Sequence, residues 1–423
     1  MQRYDTYKDS GVKWLGEIPG HWETMKSKYL WKESFSVSEN GNEDLLSVSQ
    51  YDGVTPAKGD SRSESLKGYK IVSKNDLVIN IMLAWLGGLG VSDYDGLVSP
   101  AYCIYKLCND SNPKYLHYLY KTPLYLAEFA RHSSGVVPSR WRMYTDDFGQ
   151  VISLLPPKKE QDAIVDYLDE KMAKIDAAIA QQQKMIDLLD ERKQIIINRA
   201  VTKGLNPNAK MKDSGVEWIG EVPEGWEVRR LKFLLKANLM YGANESAESE
   251  DESFPRYIRI TDIDEDGNLR PDTFRSLPPT KAEPYILNKG DLLFARSGAT
   301  AGKTYLFNED IKACFAGYLI KASLKETLLP EYLNYYTKSG IYDNWKKSIF
   351  IQATIPNIGA EKYANLQITL PSIKKQKDIV KHLDVETGKI NQVVRNCKKQ
   401  ISLLQERKQI IINEVVTGKV KVV

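Results

Sequence analysis

Residues 8–23 read KDSGVKWLGEIPGHWE and recur at residues 212–227 as KDSGVEWIGEVPEGWE, with 11 of 16 positions identical. Residues 188–198 read LLDERKQIIIN and recur at 403–413 as LLQERKQIIIN, with 10 of 11 identical. We call these repeated elements the KDSG motif and the ERKQ motif. A repeat with a period of about 200 residues predicts two copies of one structural unit in tandem.

The interiors of the two repeats differ. Segments 24–154 and 228–369 share only scattered features, such as DLVIN at 76–80 against DLLFA at 291–295. Short apolar runs alternate in both with Gly, Asn and Asp turns, which is typical of mixed α/β globules of about 150 residues. A duplicated frame that holds two different interiors indicates one task performed on two different targets.

Two long proline-free segments, 158–203 and 373–420, carry a heptad pattern that predicts a coiled coil. Each seam also contains one lysine, Lys193 or Lys408. At 1.5 Å per residue each helix would extend roughly 65 Å, and the connectivity favours antiparallel pairing. The alternative is that each helix packs within a separate core. The apolar seam residues are Leu168, Ile175, Ile179, Ile186, Leu189, Ile196, Leu383, Ile390, Val394, Ile401, Leu404 and Ile411.

The repeat therefore predicts an α+β protein in which two mixed α/β domains are separated by a long antiparallel two-helix coiled coil, as a tandem repeat with pseudo-twofold symmetry. The predicted segments are a first globular domain, a central helix, a linker, a second globular domain, and a distal helix with a C-terminal tail. Their boundaries are 1–157, 158–203, 204–212, 213–372 and 373–423.

The amino-acid composition excludes a largely disordered chain but does not by itself identify a class of function. The 59 basic and 55 acidic residues give a net charge of +4, which by itself predicts neither a nucleic-acid nor a membrane partner. Residues 373–423 hold 12 basic against 5 acidic residues, so charge is concentrated locally. Four cysteines without a CxxC and four histidines provide no zinc-site spacing. The most apolar stretch, 77–91, is too short to span a bilayer, and we expect a soluble cytoplasmic protein.

Catalytic motifs are incomplete throughout the chain. RSGATAGKT at 296–304 has Ser297 where a phosphate-binding loop needs glycine, and the residues after Lys303 favour a strand over the required helix. Pro156–Pro157 lacks the flanking residues of an adenine-methyltransferase loop. The nuclease-like sequence at 191–193 recurs at 406–408, as a helix surface would. We therefore predict no catalytic centre, metal site or cofactor in this chain.

The KDSG motifs, the LPP and EQ junction at 155–161 and the ERKQ motifs resemble the specificity subunit of type I restriction–modification systems. The resemblance implies a non-catalytic subunit with two target-recognition domains, each reading one half of a bipartite sequence in double-stranded DNA, while the helices set the spacer and dock methyltransferase subunits. It also implies two methyltransferase subunits and two restriction (translocase) subunits as partners, in the cytoplasm of a bacterium or archaeon.

In that family the complex methylates adenine N6 and cleaves DNA. The resemblance assigns S-adenosylmethionine, ATP and magnesium to the partner subunits. Two alternatives remain open from the residues alone. One is a coiled-coil scaffold whose domains bind proteins, and the other is a nucleic-acid enzyme with a divergent active site.

Residues that could touch DNA lie in loops that combine basic, hydroxyl and amide side chains. Arginine suits guanine or phosphate, and asparagine or glutamine suits adenine. The alternative for each residue is a solvated surface charge or a structural turn. The candidates are Lys58, Arg62, Lys67, Arg131, His132, Ser133, Ser134, Arg140, Arg142, Arg296, Ser297, Thr300, Lys303, Lys346, Lys347, Gln352, Thr354 and Asn357. The tryptophans of the KDSG motifs, Trp14, Trp22, Trp218 and Trp226, are predicted to be packing anchors.

Overall fold

A computed structural model describes residues 2–50, 53–57, 65–137, 141–246, 248–264, 267–350 and 356–422. The chain forms two compact units. Unit 1 contains Met1–Gln183 and Lys398–Val423, and unit 2 contains Lys184–Cys397. Both units combine strands and helices, and each unit contains part of both long helices, so the predicted α+β class is confirmed.

Unit 1 is built around a four-stranded antiparallel sheet. Its strands are β1 Tyr7–Asp9, β2 Glu17–Pro19, β3 Glu23–Lys26, β4 Trp31–Ser34, β5 Leu46–Ser49, β6 Gly53–Pro56, β7 Lys70–Val72, β8 Leu77–Asn80, β9 Leu89–Val91, β10 Gly96–Val98, β11 Tyr102–Leu107 and β12 Ile152–Leu155. Its helices are α1 Ser27–Leu30, α2 Pro113–Tyr120, α3 Pro123–Arg131, α4 Thr145–Gln150 and the first part of α5 Lys158–Lys203. The central sheet has the order β4-β11-β8-β9.

Local sequence accounts for the elements that position the unit 1 loops. All four residues of β8 are buried, as expected for a strand that pairs on both sides. Helices α2 and α3 both begin with proline, which fits the first helical position because no amide hydrogen is needed there. Asn112 and Thr122 cap them by accepting hydrogen bonds from backbone amides.

Unit 2 repeats this arrangement. Its strands are β13 Met211–Asp213, β14 Glu221–Pro223, β15 Glu227–Arg230, β16 Met240–Tyr241, β17 Arg256–Ile258, β18 Leu292–Ala295, β19 Thr304–Leu306, β20 Ala313–Phe315, β21 Leu319–Ala322 and β22 Gln367–Leu370. Its helices are α6 Pro279–Ala282, α7 Pro330–Tyr336, α8 Gly340–Phe350, α9 Ala360–Ala364 and the first part of α10 Ile373–Val416. The central sheet order is β16-β21-β18-β19, which matches unit 1 strand for strand.

The long helices pair antiparallel within each unit. In unit 1, Lys408 Nζ lies 2.7 Å from Asp176 Oδ1, and in unit 2, Lys193 Nζ lies 2.7 Å from Asn391 Oδ1. Both partners of one pair lie 215 positions from their counterparts in the other, so the two units share one helix register. All twelve apolar seam residues are buried or half-buried. The two seam lysines thus have polar partners, and the predicted pairing is confirmed.

The KDSG motif of each unit packs against the end of a long helix. Gly418 follows α10 with φ +75°, and Gly204 follows α5 with φ +71°, so both adopt the left-handed conformation that ends many helices. A Cβ at Gly204 would lie 3.0 Å from the Trp226 ring, and one at Gly418 would lie 2.4 Å from Pro19. Trp22 and Trp226 are 0% and 2% exposed, as predicted for packing anchors.

This packing makes Gly418 far less tolerant of a side chain than an open glycine with the same backbone. Gly11 has φ +71° and nothing within 4 Å of a Cβ, so Gly11→Ala is expected to cost only the strained conformation, about 1–2 kcal/mol. Gly418→Ala adds overpacking against Pro19 and is expected to cost about 2–5 kcal/mol in total. Urea unfolding of the full chain measures both values. Equal losses of unfolding free energy in the two variants would show that Gly418 is not tightly packed against the KDSG motif.

A mostly buried histidine in unit 1 links stability to pH. His117 Nδ1 accepts a hydrogen bond of 3.0 Å from the Val91 amide, and Gly53 and Gly90 pack against its ring. Burial, reinforced by the positive charge of Lys121, lowers the pKa of His117 from 6.5 to about 4. The folded state therefore holds the neutral ring, while the unfolded chain takes up a proton below pH 6.5.

Because its folded pKa is lowered, His117 contributes no penalty above pH 6.5 and destabilises the fold as the pH falls from 6.5 to 4. The decrease in the free energy of unfolding should reach at most about 3 kcal/mol near pH 4. The variant His117→Asn keeps an acceptor for Val91 and should flatten the fall in melting temperature between pH 7 and pH 4.5. His382→Asn, at an exposed position, is the control. An unchanged pH profile in His117→Asn would contradict this assignment.

The part of the chain that the structure describes contains no helix that is both long and apolar enough to cross a membrane. Within the same ranges, no three histidine, cysteine, aspartate or glutamate side chains lie close enough together to hold a metal ion. The four cysteines are free thiols, with Cys314 and Cys397 buried and Cys108 exposed.

Candidate nucleic-acid interface

Two loops meet at the same place in each unit. In unit 1 the loop after β8 meets the segment before α4, where the Met143 amide donates a 3.0 Å hydrogen bond to the Ile81 carbonyl. In unit 2 the Ile358 amide donates a 2.8 Å bond to the Arg296 carbonyl. Both residues of one pair lie 215 positions from their counterparts. We call residues 81–86 with 141–144 the first loop junction, and 296–303 with 356–359 the second.

The first loop junction has a mainly apolar surface, to which Arg142 adds one exposed charge. Met82, Leu83 and Leu86 are each about 40% exposed, beside a single 3₁₀ turn at Ala84–Leu86. Trp85 and Trp141 meet edge to face across the two loops, with ring centroids 5.4 Å apart. Exposed apolar side chains at this density are typical of a contact surface and can meet the methyl group of thymine.

The second loop junction is polar and cationic. The backbones of Ser297 and Asn357 pair across the two loops, and the Gly298 amide donates to the Pro356 carbonyl at 3.2 Å. The Arg296 guanidinium lies over the ring of Tyr241, with 5.1 Å between the guanidinium carbon and the ring centroid. The same frame therefore presents chemically different surfaces in the two units.

Three predicted contacts of unit 1 are engaged within the fold. Arg131 Nη2 and His132 Nε2 lie 2.6 and 3.1 Å from Oε1 of the buried Glu128. Burial alone would raise the pKa of Glu128, but the hydrogen bond and charge of Arg131 outweigh it, and the pKa lies below its usual range. Ser133 Oγ donates to the Phe129 carbonyl at 2.7 Å, which closes the end of α3. These side chains can be explained by local structure.

Other unit 1 candidates lie closer to a contact surface. Ser134 and Arg142 pair through their backbones and both are exposed, Arg142 within the first loop junction and Ser134 beside it. Lys67 is exposed in a turn that packs against the backbone at Gly41. Three candidates lie outside the described residues: Lys58, Arg62 and Arg140.

In unit 2 the structure brings Arg296, Ser297 and Asn357 together at the second loop junction. Thr300 lies half-buried in its 3₁₀ turn, Gly298–Thr300. Lys347 is exposed on α8, whereas Lys303 and Lys346 make contacts within the fold.

Lys303 Nζ donates to the Ile263 carbonyl at 3.2 Å, and Lys346 Nζ pairs with Asp343 at 2.7 Å while its stem packs on Gly302. Thr304–Leu306 is a strand, as the sequence predicted against a phosphate-binding loop. Gln352 and Thr354 lie outside the described residues.

Sequence reasoning missed the partners that shape both loop junctions. Tyr241 lies 55 positions before Arg296 and belongs to a different strand, so no local motif links them. Met82, Leu83 and Trp85 lie in the apolar stretch 77–91, and hydropathy alone does not show that this part of it is at the surface. The 215-residue offset places Ile81 opposite Arg296, and aligning the two interiors at that offset would have pointed to both loops.

A second surface is duplicated on the long helices. Leu188 and Ile195 of unit 2 are 51% and 58% exposed, and their repeat equivalents in unit 1, Leu403 and Ile410, are 53% and 48% exposed. Each pair is spaced by seven residues, so both side chains lie on one helix face. We call Leu188 with Ile195, and Leu403 with Ile410, the twin apolar patches. The repeated ERKQ motif thus leaves the same apolar face exposed in both units.

Comparisons with known proteins all find similarity to specificity subunits of type I restriction enzymes. Residues 223–401 match the family described as "Type I restriction modification DNA specificity domain". The chain is 25% identical over 276 residues to the type I restriction enzyme MjaVIII specificity subunit of Methanocaldococcus jannaschii, covering 63% of this chain and 62% of that protein. It is 23% identical over 298 residues to the EcoBI specificity subunit of Escherichia coli, covering 68% and 62%. The matched region is therefore less than two thirds of both relatives.

A solved structure from work on complex assembly and conformational transition of the type I R-M system has the same fold. Its TM-score is 0.69 at 16% sequence identity, over 95% of this chain and 99% of that one. The fold, the family match and the relatives agree with the duplicated frame. The resemblance that the sequence predicted is thus confirmed over residues 223–401, which match the specificity domain of type I restriction–modification systems.

Proposed function

We propose that this chain is the DNA specificity subunit of a type I restriction–modification complex and that each unit reads one half of a bipartite target. The observation that carries the proposal is the pair of loop junctions. One backbone frame, with the same interloop hydrogen bond, holds a mainly apolar surface in unit 1 and an Arg, Ser and Asn surface in unit 2. Two readers of one design with different side chains suit two different half-sites.

In this proposal residues 1–157 and 213–372 are the target-recognition domains, 204–212 is a linker, and the helices set the spacer between half-sites. Because the helix register is the same in both units, the coiled coil provides a spacer of fixed length. The chain itself performs no catalysis. Adenine-N6 methylation with S-adenosylmethionine, and DNA cleavage with ATP and magnesium, belong to partner subunits in a bacterial or archaeal cytoplasm.

The twin apolar patches support the proposed stoichiometry. Identical faces exposed once in each unit suit two copies of one partner, since each copy can make the same contact. We assign the patches to two methyltransferase subunits, and two restriction subunits complete the complex. The lysines and arginines around the patches, including Arg192 and Arg407 of the ERKQ motif, would form the polar rim of such an interface.

The direct test uses the full chain purified with the methyltransferase subunit of its own genome. This complex is incubated with a library of randomised duplexes, and the bound fraction is sequenced. We expect enrichment of one bipartite sequence, with binding that weakens as salt rises because phosphate contacts release counterions. Binding with no sequence preference, or no binding at all, would support the scaffold alternative.

A further inference from the structure

Arg296 is held more firmly than a surface arginine. Its amide donates to the Tyr318 carbonyl at 2.8 Å and its carbonyl accepts from Ile358 at 2.8 Å, so the backbone is fixed on both sides. It directly follows the buried strand β18, whose last carbonyl, that of Ala295, accepts from the Tyr363 hydroxyl at 2.7 Å. The side chain therefore starts from a rigid position at the rim of the sheet.

The guanidinium is positioned by an aromatic ring that is fixed in turn. Tyr241 lies under the guanidinium, and its hydroxyl accepts a 3.0 Å hydrogen bond from the Ala360 amide. Stacking on an aromatic face orients the guanidinium plane while leaving its N–H groups directed outward. Tyr241 is 41% exposed and Arg296 is half-buried, so the pair lies at the surface.

Three other arginines of unit 2 have a carboxylate partner of a kind that Arg296 lacks in the described part of the chain. Arg229, Arg259 and Arg275 each pair with an aspartate or glutamate at 2.7–2.8 Å. Among the residues that the structure describes, none forms an ion pair with Arg296 within 4.0 Å. Its donors are thus oriented by Tyr241 and are not used by an acidic side chain of the described fold.

From this geometry we propose that Arg296 reads a guanine in the half-site recognised by unit 2, with Tyr241 as its positioning residue. An oriented guanidinium with unused donors matches the two acceptors, O6 and N7, that guanine presents in the major groove. Unit 1 has Ile81 at the equivalent place, so this contact belongs to one half-site only. The proposal rests on the proposed function and adds the identity of one base.

The test follows the library selection on the full chain with its methyltransferase subunit. In the selected duplex each guanine of the half-site is replaced in turn by 7-deazaguanine, which lacks the N7 acceptor. We expect one replacement to weaken binding of the wild type roughly tenfold. Arg296→Ala should bind the unmodified duplex more weakly and should no longer distinguish it from that replacement. Arg229→Ala, which removes an arginine that is already paired with Glu227 outside the junction, is the control and should keep the tenfold distinction.

Two further variants separate positioning from structure. Tyr241→Phe keeps the ring and should keep the guanine distinction, whereas Tyr241→Leu removes the aromatic face and should reduce it. If Arg296→Ala weakened binding to all duplexes by the same factor and still responded to 7-deazaguanine, Arg296 would be a phosphate contact and this inference would be wrong. If the wild type selected no bipartite sequence, the proposed function itself would fail, which is a different result.

Discussion

Exchanging residues 24–154 for the corresponding segment of another family member is expected to change one half of the methylated sequence and leave the other half intact. The segment contains the first loop junction and the central sheet of unit 1, but neither the KDSG motif nor the long helices. Because the frame that carries each reader is retained, the second half-site and the spacer should both persist. The change in one half-site should be complete, since all its base contacts are replaced.

Mapping of methylated adenines in cells that carry the hybrid gene measures this result. The matched control is the exchange of residues 228–369, which should alter the other half-site alone. A hybrid that changed both halves at once, or that kept both, would contradict the assignment of one reader to each unit. A hybrid that methylated nothing would be checked for binding to its methyltransferase subunit, because a misfolded insert gives no such complex.

Placing charges on one apolar patch is expected to reduce the number of bound methyltransferase subunits from two to one. The double variant Leu403→Glu, Ile410→Glu puts two carboxylates on an exposed helix face in unit 1, where folding tolerates them. At an apolar interface each unpaired carboxylate costs several kcal/mol, so affinity at that patch should fall at least about 100-fold. The patch in unit 2 is untouched and should still bind one subunit.

Native mass spectrometry of the co-purified complex counts the subunits. Adding Leu188→Glu and Ile195→Glu should remove the second methyltransferase subunit as well. Val385→Glu with Val393→Glu is the control. These valines are 49% and 44% exposed on α10, but their repeat equivalents are Glu170 and Ala178, so this pair does not form a duplicated apolar patch. Retention of two subunits by the variant with all four glutamates would exclude the twin apolar patches as the docking surface.

Much of the fold could be predicted because it follows from repeated and periodic features. The heptad spacing identified both long helices, and the seam lysines Lys193 and Lys408 proved to be the positions where polar partners meet across the pair. Of the four repeated tryptophans expected to be packing anchors, Trp22 and Trp226 are buried and Trp14 and Trp218 are half-buried. Their partners, the left-handed glycines Gly204 and Gly418, were not foreseen, because the contact joins residues that are distant in sequence.

The candidate site was harder to predict for a physical reason. Loop residues carry no periodic signal, and a basic side chain looks the same in sequence whether it faces solvent or a buried acid. Arg131 is an example, since its partner Glu128 lies three residues away on α3 and accounts for its charge. Arg296 is the opposite case, because its orientation depends on Tyr241 from another strand. Only the folded structure shows which arginines have guanidinium N–H groups that no acidic side chain occupies.

The most direct measurement is a genome-wide map of N6-methylated adenines in cells with and without this gene. Two readers on a helix pair of fixed register should give methylation at one bipartite sequence, with two short defined halves separated by a constant number of unspecified bases. That methylation should disappear when the gene is deleted. An unchanged map, or methylation confined to one continuous sequence without a spacer, would contradict recognition by two units.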